Sequence, residues 1–202
     1  MSWKGGIGGA ACCAMILGCH SARPEGRLQA DTCAAPVGEL PPSASAEALV
    51  GEYHVRFVAT AGPKQGATED GRVTLRPMDD SLVAAPPVLG IRDSTTRHPL
   101  VGSAQIDVDA LGATRTGELA SADMHAPGVL VIERHPIQPA ARAEITLRLG
   151  AEANRRGIVR YDGGYFALKV LRVGPSSFAG TWISGGAGST ARGYFCAARP
   201  SR

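Results

Sequence analysis

From residue 51 onward, apolar and polar residues alternate with a period of two, and this pattern most limits what the chain can fold into. In residues 51–60 one face carries Tyr53, Val55, Phe57 and Ala59, and the other carries His54, Arg56 and Thr60. Successive side chains of a strand point to opposite faces, so this stretch reads as a strand with one face toward a core. A turn rich in glycine at 61–66 leads to a second alternating run at 72–76, and the two pair naturally as a hairpin.

Runs at 100–108, 128–133, 144–149, 165–173, 178–184 and 192–198 bring the expected strands to eight. Residues 158–161 form an added short strand before the Asp162-Gly163-Gly164 turn. Helical signals are confined to short pieces: residues 43–49, where Ser45 stands as a cap for Ala46-Glu47-Ala48-Leu49, and single turns at 108–111 and 151–156. The 26 glycines and 14 prolines, against 5% aromatics, suit many turns between short strands. Together these features predict a mainly β chain, folded as a single antiparallel up-and-down β-barrel of about eight strands. A two-sheet β-sandwich is the alternative. An outer-membrane barrel is disfavoured, because several runs are shorter than the about 9–11 residues a membrane-crossing strand needs.

The region before the strands has its own logic. Residues 1–18 carry Lys4 and then an uncharged apolar run at 7–17, the parts of an export signal. This run is shorter than the about 20 apolar residues of a spanning helix. Ile16-Leu17-Gly18-Cys19 resembles the bacterial lipobox, in which an aliphatic residue and a small residue precede a cysteine that receives a diacylglyceryl group. The resemblance implies cleavage after Gly18, lipidation of Cys19 and anchoring of an exported protein to a membrane through its N-terminal lipid. His20 stands where that family places a retention Asp, which favours the outer membrane facing the periplasm in a Gram-negative source. Residues 19–46, rich in Ala, Pro and Ser, read as a flexible tether, and 47–202 as the barrel domain.

Cys12, Cys13 and Cys19 lie in or at the end of the apolar stretch, leaving Cys33 and Cys196 in the body. In an oxidising compartment these two either form a disulfide across a very long loop or remain one linker thiol and one buried thiol.

The body resembles the lipocalins and their calycin relatives. Gly51-Glu52-Tyr53 stands where that family carries Gly-x-Trp on the first strand, and Arg199 stands where it carries an arginine that packs over the aromatic. The resemblance implies binding of a small apolar ligand in the barrel mouth. Tyr53, Val55, Phe57, Trp182 and Tyr194 are the candidates for barrel lining or core, with Tyr165 beside them.

Signals for chemistry are sparse. The formal charge of +3 arises from 21 basic and 18 acidic residues scattered along the chain, so nucleic acid is not an expected partner. Arg155, Arg156, Arg160, Lys169 and Arg172 are a local basic concentration that suits anionic lipid, an acidic partner or plain solvent. Gly188-Ser189-Thr190 lacks the setting of a nucleophile elbow, and Gly185-Gly186-Ala187-Gly188 lacks the ending of a phosphate loop. His54, His98, His125 and His135 show no metal-pair spacing, and Asp107 and Asp109 share a strand face with Gln105. The expectation is a non-enzymatic, membrane-anchored envelope lipoprotein without metal or cofactor that binds a small apolar ligand. The alternative is an envelope scaffold or protease-inhibitor-like module with a protein partner, acting through loops such as 91–100 and 124–127. What separates the two is whether the barrel interior is open or packed.

Overall fold

The computed structural model describes residues 33–78, 96–113, 128–135, 142–150, 165–186 and 189–200. The export signal, Cys19, the 151–156 turn, the 158–161 strand, and the residues Arg155, Arg156, Arg160 and His125 lie outside them, as does loop 124–127. Eight antiparallel strands follow in chain order: β1 (Gly51–Ala61), β2 (Thr68–Pro77), β3 (Thr96–Gln105), β4 (Val129–Arg134), β5 (Glu144–Leu149), β6 (Tyr165–Val173), β7 (Ser177–Gly186) and β8 (Ser189–Ala198). Each strand pairs with its sequence neighbours, and β8 returns to β1, so the sheet closes as an up-and-down barrel without an edge.

Register follows from the alternation. Val131, Leu147, Leu168, Trp182 and Gly193 face one another across successive strands, and they form a belt of inward positions around the barrel. Phe57 of β1 meets Phe195 of β8 on the same inner face. Outward positions hold polar residues over much of the surface, with the Arg56–Asp70 pair bridging β1 and β2 at 2.6 Å. An outer exception lies on β3 and β4, where Val101 and Leu130 form a second buried cluster with Met78 and Ile132.

A short 3-10 turn, η1 (Ala46–Leu49), precedes β1. Its cap is Ser45, extended in backbone, whose hydroxyl accepts from the Glu47 amide. β3 begins earlier than the alternation predicts, and it ends earlier because Asp107 does not continue it. The Asp107 side chain accepts from the amides of Asp109 and Ala110 at 3.0 and 3.3 Å, the local bonding that makes aspartate a turn residue. Asp107 and Asp109 therefore sit in a turn rather than on a strand face.

Residues 33–46 are not a free tether. Cys33 and Cys196 form a disulfide, which fastens this segment to the outer face of β8. Leu40 and Ala46 are buried in the main core, and Glu39 pairs with Arg142 at the start of β5. Residues 33–46 are thus packed against the barrel rather than free of it. Strap, η1 and closed sheet all lie within residues 33–200.

The bridge spans 163 residues of sequence and so restrains a very long loop in the unfolded chain. The Cys33→Ser/Cys196→Ser variant is expected to keep the barrel while losing about 2–4 kcal/mol of stability. Urea unfolding of oxidised wild type against the variant checks this, and equal midpoints would show that the strap adds nothing.

Candidate functional site

The sequence points to the barrel interior as the place where a ligand would sit. Tyr53, Val55, Phe57 and Trp182 all face inward, and each is at most 3% exposed. Tyr194 does not. It lies opposite Thr181 and Val58 on the outer face, and its neighbour Phe195 takes the interior position with no exposed surface. With a period of two, only one of two adjacent aromatics can face the core.

An aromatic column runs the length of the barrel. Tyr53 meets Phe178 edge-on at 4.9 Å between ring centroids, Phe178 meets Phe195 at 5.8 Å, and Phe195 lies 6.1 Å from Phe57. Phe57 meets Phe166 edge-on at 5.9 Å, and Phe166 stacks on Trp182 at 5.3 Å. These are the offset and edge-to-face separations that aromatic pairs prefer. The Trp182 indole N–H donates to the Val58 carbonyl at 3.2 Å, so the buried ring leaves no unmet donor. Gly193 makes room for it: a Cβ there would stand 2.7 Å from Trp182 Nε1 and 1.8 Å from the Val58 oxygen. Gly180 does the same for Phe195, whose ring would be 2.8 Å from an added Cβ.

Both ends are stoppered. At the floor, Leu40, Ala46 and Leu49 join the core; at the mouth, Val108, Leu111 and Ala113 fold inward on a turn closed by Ala113 N–H to the Val108 carbonyl at 3.0 Å. Between them Val129, Val131, Ile145 and Leu147 have no exposed surface, cavity walls included. The inward side chains of the described strands are thus buried, as in a packed barrel, one of the two outcomes open to eight strands.

Charged groups hold the floor in place. Arg97 reaches the buried Glu133 carboxylate with Nε at 2.9 Å and Nη2 at 2.7 Å, and its Nη1 pairs with Glu47 of η1 at 2.9 Å. One guanidinium thus ties the stopper to β4. His135 Nε2 lies 3.9 Å from the second Glu133 oxygen, which accepts no hydrogen bond. Ser45 donates its hydroxyl to Glu47; this bond, with the Glu47 backbone amide and then the charge of Arg97, outweighs partial burial and holds the Glu47 carboxyl below the usual range. Arg199 seals the other side. Its Nε donates to the Tyr53 hydroxyl at 3.2 Å, its Nη2 to the Val50 carbonyl at 2.8 Å, and its guanidinium lies 5.5 Å from the Tyr53 ring centroid.

The remaining sequence candidates do not converge. Ser189 and Thr190 belong to β8 and pair with Gly186 and Gly185 of β7. His54 is an outward residue of β1, between Arg72 and Ala198. Among the described residues no three His, Cys, Asp or Glu side chains group as metal ligands, and no helix is long and apolar enough to cross a membrane. Sequence reasoning missed the Glu47–Arg97–Glu133 bridge, since 36 residues separate Arg97 from Glu133 and no spacing links them.

Two measurements follow from this packing. Trp182 is the only tryptophan beyond Trp3, so fluorescence of a chain processed after Gly18 reports its site alone. Gly193→Ala is expected to shift that emission and cost about 1–3 kcal/mol by overpacking; an unchanged spectrum and urea midpoint would contradict the fit described. A carboxyl with a lowered pKa contributes stability above its ordinary value and gives it up as pH falls through the lowered one. The stability gap between wild type and Glu47→Gln should therefore be present at neutral pH and shrink below about pH 4. A gap that stays constant in urea titrations down this range would remove Glu47 from the floor's acid response.

No family model and no curated protein matches the chain. One solved structure, titled "Structure of EF1p2_mFAP2b bound to DFHBI", is similar at a TM-score of 0.36 and 10% identity, covering 76% of this chain and 96% of that one. A likeness of that size carries no argument about what this chain binds.

Proposed function

We propose that the chain is an exported, lipid-anchored envelope protein whose barrel works by contact at its rims and outer face, without catalysing a reaction. The observation behind the contact reading is the filled interior: an aromatic column between two apolar stoppers occupies the space a carried molecule would need. The support for the anchor is the lipobox-like Ile16-Leu17-Gly18-Cys19 after an apolar run. Carriage of a small apolar ligand, which the lipocalin resemblance implies, would require the mouth turn bearing Leu111 or the floor turn bearing Leu49 to withdraw from the core.

Two experiments test this. In the wild type, processing should be globomycin-sensitive and the product should fractionate with membranes, while Cys19→Ala should be neither processed by that route nor retained there. Unaltered processing and membrane association in Cys19→Ala would defeat the anchor. Native mass spectrometry of the processed protein should show the polypeptide with its lipid and no further small molecule. A stoichiometric co-purified apolar compound would overturn the contact reading in favour of a carrier.

A further inference from the structure

The outer wall of the barrel is electrostatically uneven. β1 and β2 together hold three acidic residues, Glu52, Glu69 and Asp70, against three basic ones, Arg56, Arg72 and Arg76. β5, β6, β7 and β8 hold Arg148, Lys169, Arg172 and Arg192 against Glu144 alone. Arg148, Lys169 and Arg192 take outward positions, since their strand neighbours Leu147, Leu149, Leu168, Val170, Ala191 and Gly193 are buried inside, and Arg172, after a bulge, is exposed opposite Ala179. Register lays them out in rows across the wall. Arg172 faces Ala179, which faces Cys196; Lys169 faces Thr181, which faces Tyr194; and Arg148, Ala167, Ile183 and Arg192 follow one another on neighbouring strands. Ile183, 41% exposed, and the half-buried Tyr194 lie among the charges.

Several cations of the molecule are engaged by described residues of the fold, and those of this wall are not. Arg56, Arg97, Arg142 and Arg199 each engage a carboxylate, a hydroxyl or a carbonyl of the fold. Arg148, Lys169, Arg172 and Arg192 have no such partner among the described residues. The disulfide then fixes where this wall stands relative to the start of the chain. Cys33 is bonded to Cys196, two strands and about 10 Å from Arg172 along one row. Thirteen residues, 20–32, separate Cys33 from Cys19, a reach of at most about 50 Å. A lipid on Cys19 would therefore keep this wall within reach of the headgroups.

We propose that the outer face of β5–β8, with Arg148, Lys169, Arg172 and Arg192 around Tyr194 and Ile183, docks on the anionic headgroups of the membrane to which the chain is tethered. The inference rests on the anchor reading for its geometry, while the surface itself can be tested without the anchor. Basic side chains near an anionic leaflet each strengthen partition by about fivefold, an attraction that fades beyond the Debye length. Short tethering adds a high effective concentration, so modest intrinsic affinity suffices to hold the barrel down. An aromatic and an exposed aliphatic among the cations suit the boundary between headgroups and acyl chains.

Because the closed sheet, strap and stoppers lie within residues 33–200, the chain from 20 to 202 carries every described element and serves for the test. It is expected to co-sediment at low salt with phosphatidylcholine vesicles containing about 30% phosphatidylglycerol, to ignore pure phosphatidylcholine vesicles, and to be released by about 0.5 M salt. Lys169→Ser/Arg172→Ser/Arg192→Ser should weaken partition by about a hundredfold with unchanged circular dichroism and urea midpoint. Arg72→Ser/Arg76→Ser, on the opposite wall, should weaken it by no more than about threefold. The proposal fails if anionic vesicles are not bound, or if both variants lose binding equally, which would mark attraction by net charge alone. Retention on immobilised polyglutamate without vesicle binding would also overturn it, in favour of an acidic protein. Since this chain lacks Cys19, failure here leaves the lipid anchor standing, and failure of Cys19 processing leaves the vesicle result standing.

Discussion

Closure of β8 onto β1 is the constraint on which the rest of the molecule depends. A sheet with open edges would leave unpaired amides and carbonyls exposed to other chains. Closing it removes them and at the same time creates an interior that only side chains or a guest can fill. In this chain the side chains fill it. The inward residues of β1, β6, β7 and β8 supply the aromatic column, those of β3, β4 and β5 supply aliphatics, and glycines at 180 and 193 give the largest rings their room. The bulge in the β1–β8 register between Ala59 and Ala61 follows directly after Val58, whose carbonyl takes the Trp182 indole N–H.

Much of this was legible in the sequence, for identifiable reasons. Alternation over residues 51–60 gave β1 and its inward face correctly because strand period and burial coincide there. Ser45 was legible as a cap because its side chain acts locally, on the Glu47 amide. The failures are equally physical. Ile106 and Val108 continue the apolar rhythm of β3, yet Asp107 between them bonds its own downstream backbone and bends the chain into the mouth. Tyr194 and Phe195 are adjacent aromatics, and only the register with Thr181 and Val58 decides which one turns inward. Leu40 is an isolated aliphatic in a Pro-rich stretch, too sparse a signal to separate a strap from a tether. Whether the lumen is filled is a property of eight strands meeting at once, and no single segment carries it.

The two stoppers are held by different physics. The mouth turn depends on apolar burial of Val108, Leu111 and Ala113, with backbone bonds to shape it. The floor adds charge: Arg97 joins Glu47 to a Glu133 that is buried in the barrel wall. A buried carboxylate is costly without a partner, so the guanidinium and the stopper secure each other. Arg199 and Tyr53 close the same end beside it, and their contact joins the segment after β8 to the start of β1. At the floor the lowered carboxyl is that of Glu47, held by Ser45, whereas at the mouth burial and then the charge of Asp107 push the Glu69 carboxyl up.

The strap also has a meaning in time. Cys33 precedes every described strand, and its bonding partner lies on the last of them, 163 residues on. A chain arrested anywhere before β8 has nothing in the barrel for Cys33 to bond, and a chain still lacking β8 also has no closed sheet. The native bridge can form only after the polypeptide has been made as far as Cys196 and where conditions are oxidising enough to hold a disulfide. It therefore records completion: a molecule carrying this bond is one whose chain has been made through β8.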